Sequence, residues 1–292
     1  MQDPVSRARR SALFVPASNE RALQKAPALA SDAVILDLED AVAVENKAAA
    51  RARVVQMAQT WPSKATELVI RVNAMSSAWG QDDLAAASAC GADALLLSKV
   101  ETPEDIAQVS QALGSQSRIR QIWAMIETPK AILNIAQIAE AGRACGVPLS
   151  CLVAGPNDLA KATGVSDRNY LTPWLMQIVL AARAWGLTAL DGVSNQFNDA
   201  DAFARECAQG AAMGFDGKTL IHPNQIDPAN RVFAPSPVAI EAAGRIVALF
   251  ARPENATANV VSMDGEMVER LHLLQAQALL AKATAIAQRD RA

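Results

Sequence analysis

The sequence predicts an α/β protein built as a (β/α)8 TIM barrel, on three observations. Eight short, almost entirely apolar runs recur along the chain, Ala-rich amphipathic segments separate them, and the runs end in charged residues. Strands that are apolar on both faces belong to parallel sheets covered by helices, and eight is the number that closes such a sheet into a barrel. A doubly wound open sheet is the competing arrangement. It is disfavoured because "VPASNER" follows the first strand, where a glycine-rich phosphate loop would stand.

Each element has its own signal. "SALFVP" (11–16) is the first strand, and "NERALQKAPALA" (19–30) carries helical period behind it. "AVILDLE" (33–39) and "ELVIRVN" (67–73) are the second and third strands, with the helical "ENKAAARARVVQMAQ" (45–59) between them. "ALLLSKV" (94–100) precedes "TPEDIAQVSQAL" (102–113), and "IWAMIET" (122–128) precedes "PKAILNIAQIAEAG" (129–142). Proline near the start of both helices and glycine at the end of the second are ordinary boundary signals. "LSCLVAG" (149–155), "LTALDG" (187–192) and "FDGKTLIH" (215–222) complete the eight, and "PVAIEAAGRIVALFA" (237–251) follows as a further helix. The barrel is therefore expected over residues 10–252. Residues 253–292 read as a linker, a short β segment turning at Asp264-Gly265, and a long helix, a lid or subunit-contact extension.

Bulk properties narrow the function. The chain has 292 residues, 51% apolar and 20% charged, which suits one large core. A net charge of −3 without a long basic or acidic run argues against general nucleic-acid binding. The basic "MQDPVSRARR" leads into no apolar stretch, and no membrane-spanning segment is expected. Cys90, Cys145, Cys151 and Cys207 are scattered without a CxxC pair, as in a reducing cytoplasm, and read as small buried hydrophobes. His222 and His272 are the only histidines, so a bound metal is expected on oxygen ligands.

In a barrel, the C-terminal strand ends carry the chemistry. Those ends hold Asp37, Glu39 and Asp40, then Arg71 and Asn73, Lys99, Glu127, Asp158, Asp191, and finally Lys218 and His222. Any one of them could be half of an ion pair between strand ends, as Asp37 with Lys99 or Lys218. A full ring is harder to explain by packing alone. Glu127 in "MIETP" and Asp158 in "AGPNDLA" end adjacent strands, roughly 5 Å apart. Two carboxylates completed by water and substrate oxygens describe a Mg²⁺ site. Asn157 or Asp158 could also cap the helix that follows. Arg71 is suited to grip a carboxylate with its planar fork, or to pair with the "DLED" cluster. Asp37 and Glu39 then lie beside Arg71 and the metal as the floor of a site for an anionic substrate.

Taken together, "RSALFVPASNER", "DAVILDLEDAV", "IRVNA", "AMIETP", "NDLAK" and "GFDGKTLIHPNQI" resemble the HpcH/HpaI aldolase and citrate lyase superfamily, and within it the citrate lyase β-subunit-like (CitE-like) branch. The resemblance runs from about residue 10 to beyond 270. It implies a Mg²⁺-dependent carbon–carbon lyase that cleaves a 3-hydroxyacyl thioester of the malyl-, citramalyl- or citryl-CoA type to an acetyl thioester and a keto acid, in a homotrimer or hexamer. It matches Glu127 and Asp158 to the metal ligands and Arg71 to the group on the keto acid. It matches Asp37 and Glu39 to the acidic strand end that supports the metal's water shell, and Arg21 and Lys25 to cations for the CoA phosphates. In the CoA-lyase relatives the aspartate of a "DG" segment handles the acetyl methyl proton in a neighbouring subunit's site. Asp264 in "SMDGEMVER" stands there, with Glu266 in place of the expected lysine. The competing readings are a pyruvate-type class II aldolase, disfavoured by Asp40 where a histidine is usual, a thioester hydrolase, and a citryl lyase subunit dependent on an acyl-carrier protein.

Overall fold

The computed structural model describes residues 7–62, 65–114 and 117–291, so the first six residues of the basic N-terminal stretch lie outside it. The described residues fall into two compact units, Arg9–Phe233 and a second made of residues 7–8 and 234–291. The division comes earlier in the chain than the boundary expected after residue 252.

The larger unit is the closed eight-stranded parallel barrel that the sequence predicts. Its strands are β1 (Ser11–Pro16), β2 (Ala33–Asp37), β3 (Glu67–Val72), β4 (Ala94–Leu97), β5 (Gln121–Ile126), β6 (Leu149–Ala154), β7 (Thr188–Asp191) and β8 (Gly217–Leu220). Parallel pairing of Ser11 with Lys218 and of Leu13 with Leu220 joins β8 to β1 and closes the ring. The helices of this unit are α1 (Glu20–Lys25), α2 (Lys47–Gln59), α3 (Gly80–Ser88), α4 (Pro103–Leu113), α5 (Pro129–Arg143), α6 (Pro156–Thr163), α7 (Thr172–Trp185), α8 (Ala200–Met213) and α9 (Ile226–Val232). Proline in the first turn starts α4, α5, α6 and α7, where a missing N–H costs nothing.

Alternation along the strands builds two cores. Ala12, Ile35, Val69, Leu96, Trp123, Val153 and Leu190 fill the barrel, while Leu13, Leu36, Ile70, Leu95, Ile126 and Leu152 pack outward against the helices. The N-terminal end of the barrel is plugged by charge. Arg9 is 1% exposed and donates two hydrogen bonds to Glu67, at 2.7 and 2.8 Å, and one each to Gln121 and Thr188. Its guanidinium also lies 4.8 Å from the Trp123 ring. These groups stand at the starts of β3, β5 and β7, the end of a barrel that serves stability.

The smaller unit contains α10 (Pro237–Phe250), a hairpin of β9 (Val260–Met263) and β10 (Glu266–Glu269), and α11 (Arg270–Arg289). Phe250, Val261 and Val268 are buried together, with Ile246, Leu249 and Leu273 against them. Asp264 and Gly265 both have positive φ, 56° and 86°, as a two-residue type I′ hairpin turn requires. By composition alone, Pro223–Phe250 is apolar and long enough to cross a membrane. In the fold it breaks between α9 and α10, and α10 has 14 residues, short of the roughly 20 that span a bilayer.

Candidate active site

The strand register creates the first part of the site. Asp37 ends β2 directly opposite Arg71 on β3. Arg71 Nε and Nη2 donate to the two Asp37 carboxylate oxygens at 2.7 and 2.6 Å, a bidentate pair, and Nη1 lies 2.9 Å from Glu39. The guanidinium also sits 4.6 Å from the ring of Phe14 on β1. Burial works against the Arg71 charge, but Asp37 and then Glu39 outweigh it and hold the group above its ordinary range. The turn beyond β2 is tethered as well: the Asp37 carboxylate accepts from the Glu39 N–H, and Lys47 Nζ donates to the Leu38 and Glu39 carbonyls and to Asn73. Asp37 therefore pairs with Arg71, and not with Lys99 or Lys218 as the sequence allowed. Lys99 reaches other carboxylates, and Lys218 is buried against Asp191 and Glu206.

Glu39 answers the crowding of three carboxylates at this strand end. Burial, aided by Glu127 and Asp40 and opposed by Arg71 and Lys99, raises its pKa to about 7. Its Oε2 is buried and lacks a well-directed hydrogen bond, despite the nearby Arg71. Asp40 is exposed at the rim.

The second part is assembled around Lys99. This residue follows β4 with φ 53°, a left-handed conformation that long side chains rarely adopt. Its N–H donates to Glu127 Oε1 at 2.8 Å. Its ammonium pairs with Asp158 and lies 3.6 Å from Glu127 and 3.8 Å from Glu39. Glu127, just past β5, is 3% exposed. Asp158 is the third residue of α6, whose N-cap is Gly155, so neither Asn157 nor Asp158 caps that helix. Gly155 is the only kind of residue that fits there: a Cβ would lie 2.3 Å from Glu127 Cβ and 2.9 Å from Oε2. Its missing side chain is the space that Glu127 occupies.

Asp37, Arg71, Glu127 and Asp158 line one cavity of about 370 Å³, with Phe14, Met125 and Ile221 as apolar wall. A larger cavity, about 680 Å³, begins beyond a reciprocal amide pair of Asn157 and Asn195, which line both. Among the described residues no group of three or more His, Cys, Asp or Glu side chains forms a ready-made metal cage. The donor set that does converge is Glu127 and Asp158, both hard oxygen ligands. Two carboxylates that face one cavity and share one counter-cation fit a divalent ion that keeps several waters.

Other candidates go elsewhere. Arg21 and Lys25 are exposed on α1, one turn apart, and neither lines the cavity. Asp264 belongs to the smaller unit, at the hairpin tip, where it pairs with Arg245. Asp191, with Arg168, Lys218 and Glu206, forms a buried ionic network whose cations hold its pKa low against the effect of burial. His222 is an exposed cap whose ring stacks on Phe197. Lys99, counted from sequence only as one charge in the ring, proves central, and Gly155 and Phe14 were not singled out at all.

Comparison with known proteins gives the fold and site a family. Residues 10–223 match the family model described as HpcH/HpaI aldolase/citrate lyase. The chain belongs to that family. Over 95% of its length it is 45% identical to a (3S)-malyl-CoA thioesterase of Cereibacter sphaeroides, covering 95% of that protein. It is 32% identical to the mitochondrial citramalyl-CoA lyase of Homo sapiens, over 96% of this chain and 87% of that one. The β subunit of citrate lyase from Leuconostoc mesenteroides is 33% identical, over 96% and 94%. Among solved structures, the CitE protein of Mycobacterium tuberculosis in complex with magnesium, acetoacetate and coenzyme A is similar, with a TM-score of 0.76 and 30% identity over 96% of this chain and 99% of that one. These relatives bear out the citrate lyase β-subunit-like reading and its enzyme class, carbon–carbon lyase.

Proposed function

We propose that the chain is a Mg²⁺-dependent lyase that cleaves a 3-hydroxyacyl-CoA of the malyl-, citramalyl- or citryl-CoA type into acetyl-CoA and a keto acid. The observation that carries the reading is the pairing, in one cavity, of an all-oxygen donor set with a fixed guanidinium: Glu127 and Asp158 beside Arg71 held by Asp37. A magnesium ion held by Glu127 and Asp158 would act as a Lewis acid on the oxygens of the future keto acid.

The rest of the chemistry belongs to the chain. Arg71 neutralises the carboxylate end of the substrate and the charge that develops on the departing keto acid. Asp37 and Glu39 keep its fork from rotating, so its donors are aimed before the substrate arrives. The apolar wall of Phe14, Met125 and Ile221 limits water around the thioester enolate. Asp264 is the group we assign to protonate that enolate, as a residue supplied by a neighbouring copy in a homotrimer or hexamer. Its exposed carboxylate at a hairpin tip supports this assignment. Arg21 and Lys25, without a hydrogen bond or ion pair among the described residues, are suited to CoA phosphates. An acyl-carrier thioester is the alternative carrier.

Hydrolysis is the second reading, favoured by the 45% identity to a protein named a thioesterase. Product analysis with malyl-CoA separates the two. Acetyl-CoA with glyoxylate supports the lyase, and free CoA thiol with malate supports the hydrolase.

A further inference from the structure

The Lys99 side chain stands in the place where a divalent cation would be needed. Arg71 is committed to Asp37, through two hydrogen bonds, and to Glu39. The pair Glu127 and Asp158 has no share in that guanidinium's hydrogen bonds. Their counter-charge is the Lys99 ammonium, which pairs with Asp158 and lies within 4 Å of both Glu127 and Glu39. The same residue fixes one of those carboxylates from its backbone, through the N–H bond to Glu127 Oε1, at the cost of a left-handed φ. Lys99 thus does two separable things: its main chain orients Glu127, and its side chain neutralises the site.

We propose that Lys99 is a resident counter-cation, which a divalent metal ion must displace from Glu127 and Asp158 in order to bind. Two like-charged groups cannot share these oxygens, because a dication a few ångströms from an ammonium is strongly repelled in a site with little water. The side chain is free to leave. It is a flexible four-carbon stem, about one-third exposed, and no hydrogen bond of its ammonium to a backbone carbonyl retains it among the described residues. The backbone bond to Glu127 does not depend on where the ammonium lies, so the ligand stays oriented during the exchange. Metal binding is then weaker than the donor set alone would give, and the metal-free enzyme avoids two adjacent uncompensated carboxylates. The inference rests on the reading of Glu127 and Asp158 as the metal ligands.

The test is Mn²⁺ and Mg²⁺ binding to the substrate-free enzyme, by electron paramagnetic resonance and calorimetry, for wild type, Lys99→Met and Lys99→Arg. Removing the charge in Lys99→Met is expected to tighten binding by roughly tenfold or more, whereas Lys99→Arg keeps the charge and binds no tighter than wild type. Equal or weaker binding by Lys99→Met, with wild type binding normally, overturns the counter-cation and leaves the metal ligands standing. No binding by either protein overturns both. Should Lys99→Met fail to fold, acylation of Lys99 in the wild-type chain, mapped by mass spectrometry, decides. Labelling should rise on adding Mg²⁺, and labelling that is unchanged or lower overturns the proposal.

Discussion

Gly155→Ala is a one-carbon perturbation whose effect can be worked from the structure. Gly155 has φ −111°, so alanine meets no left-handed backbone there and the whole cost is steric. The added Cβ would lie 2.3 Å from Glu127 Cβ, 2.9 Å from Oε2 and 3.2 Å from Cα. Carbon atoms pack at about 3.5–4.0 Å, so Glu127 and the turn after β6 must separate by more than about 1 Å. Overpacking of this kind costs about 1–3 kcal/mol of stability. Displacing Glu127 also separates it from Asp158, and metal affinity is expected to fall at least about tenfold, equivalent to 1.4 kcal/mol or more. Urea unfolding of the metal-free protein reads the first effect and Mn²⁺ titration the second. Gly146→Ala is the control, since its Cβ would meet nothing within 4 Å. Wild-type metal affinity in Gly155→Ala would mean that Glu127 is not a ligand held by that contact.

Arg71→Lys keeps the charge but loses the fork on Asp37; kcat/KM is expected to fall by about 10²-fold or more, and steady-state kinetics that show less than a threefold change would remove Arg71 from the chemistry. Glu39 titrates near 7 in the fold and near 4.5 without it. The fold therefore favours its protonated form, and the resulting stability is complete below pH 4.5 and lost as pH rises to 7. At most it is on the order of 3 kcal/mol, so metal-free wild type should lose stability relative to Glu39→Gln across that window in urea melts; parallel profiles would contradict the pKa shift. At the opposite end of the barrel, Glu67→Gln leaves the Arg9 charge buried without its partner and should cost about 3–5 kcal/mol. Activity per folded molecule should be unchanged, and a selective loss of kcat would mean the plug reaches the site.

The barrel was legible because nearly every strand is apolar on both faces, β8 with Lys218 and Thr219 being the exception, and many junctions carry a proline, glycine or acidic signal. Helix α10 was legible as a helix, but its Ala-rich period is the same as that of the barrel helices, and its grouping with the smaller unit rests on packing that periodicity does not encode. The charged strand ends were legible as a ring, and Arg71 with the "DLED" cluster as one pairing open to them, but the individual partners were not. Asp37 with Arg71 follows from strand register, which periodicity does not encode, and the Asp191–Lys218 pair is buried ionic structure of the same outward appearance. Lys99 looked like any other strand-end charge, since neither its left-handed backbone nor the convergence of three carboxylates on its ammonium leaves a mark in "LLLSKV". Gly155 could have been suspected from "AGPND", where glycine precedes a proline-started helix, but the reason for it is a contact with Glu127 from the neighbouring strand.

Metal-dependent carbon–carbon cleavage at Glu127 and Asp158 is the activity we propose. It is tested most directly by incubating the purified chain with malyl-, citramalyl- and citryl-CoA, in Mg²⁺ or in EDTA, and measuring acetyl-CoA and keto acid together. At least one thioester should yield both products in equal amounts with Mg²⁺ and neither in EDTA. Cleavage that persists in EDTA, or CoA thiol released without keto acid from every substrate, would contradict it.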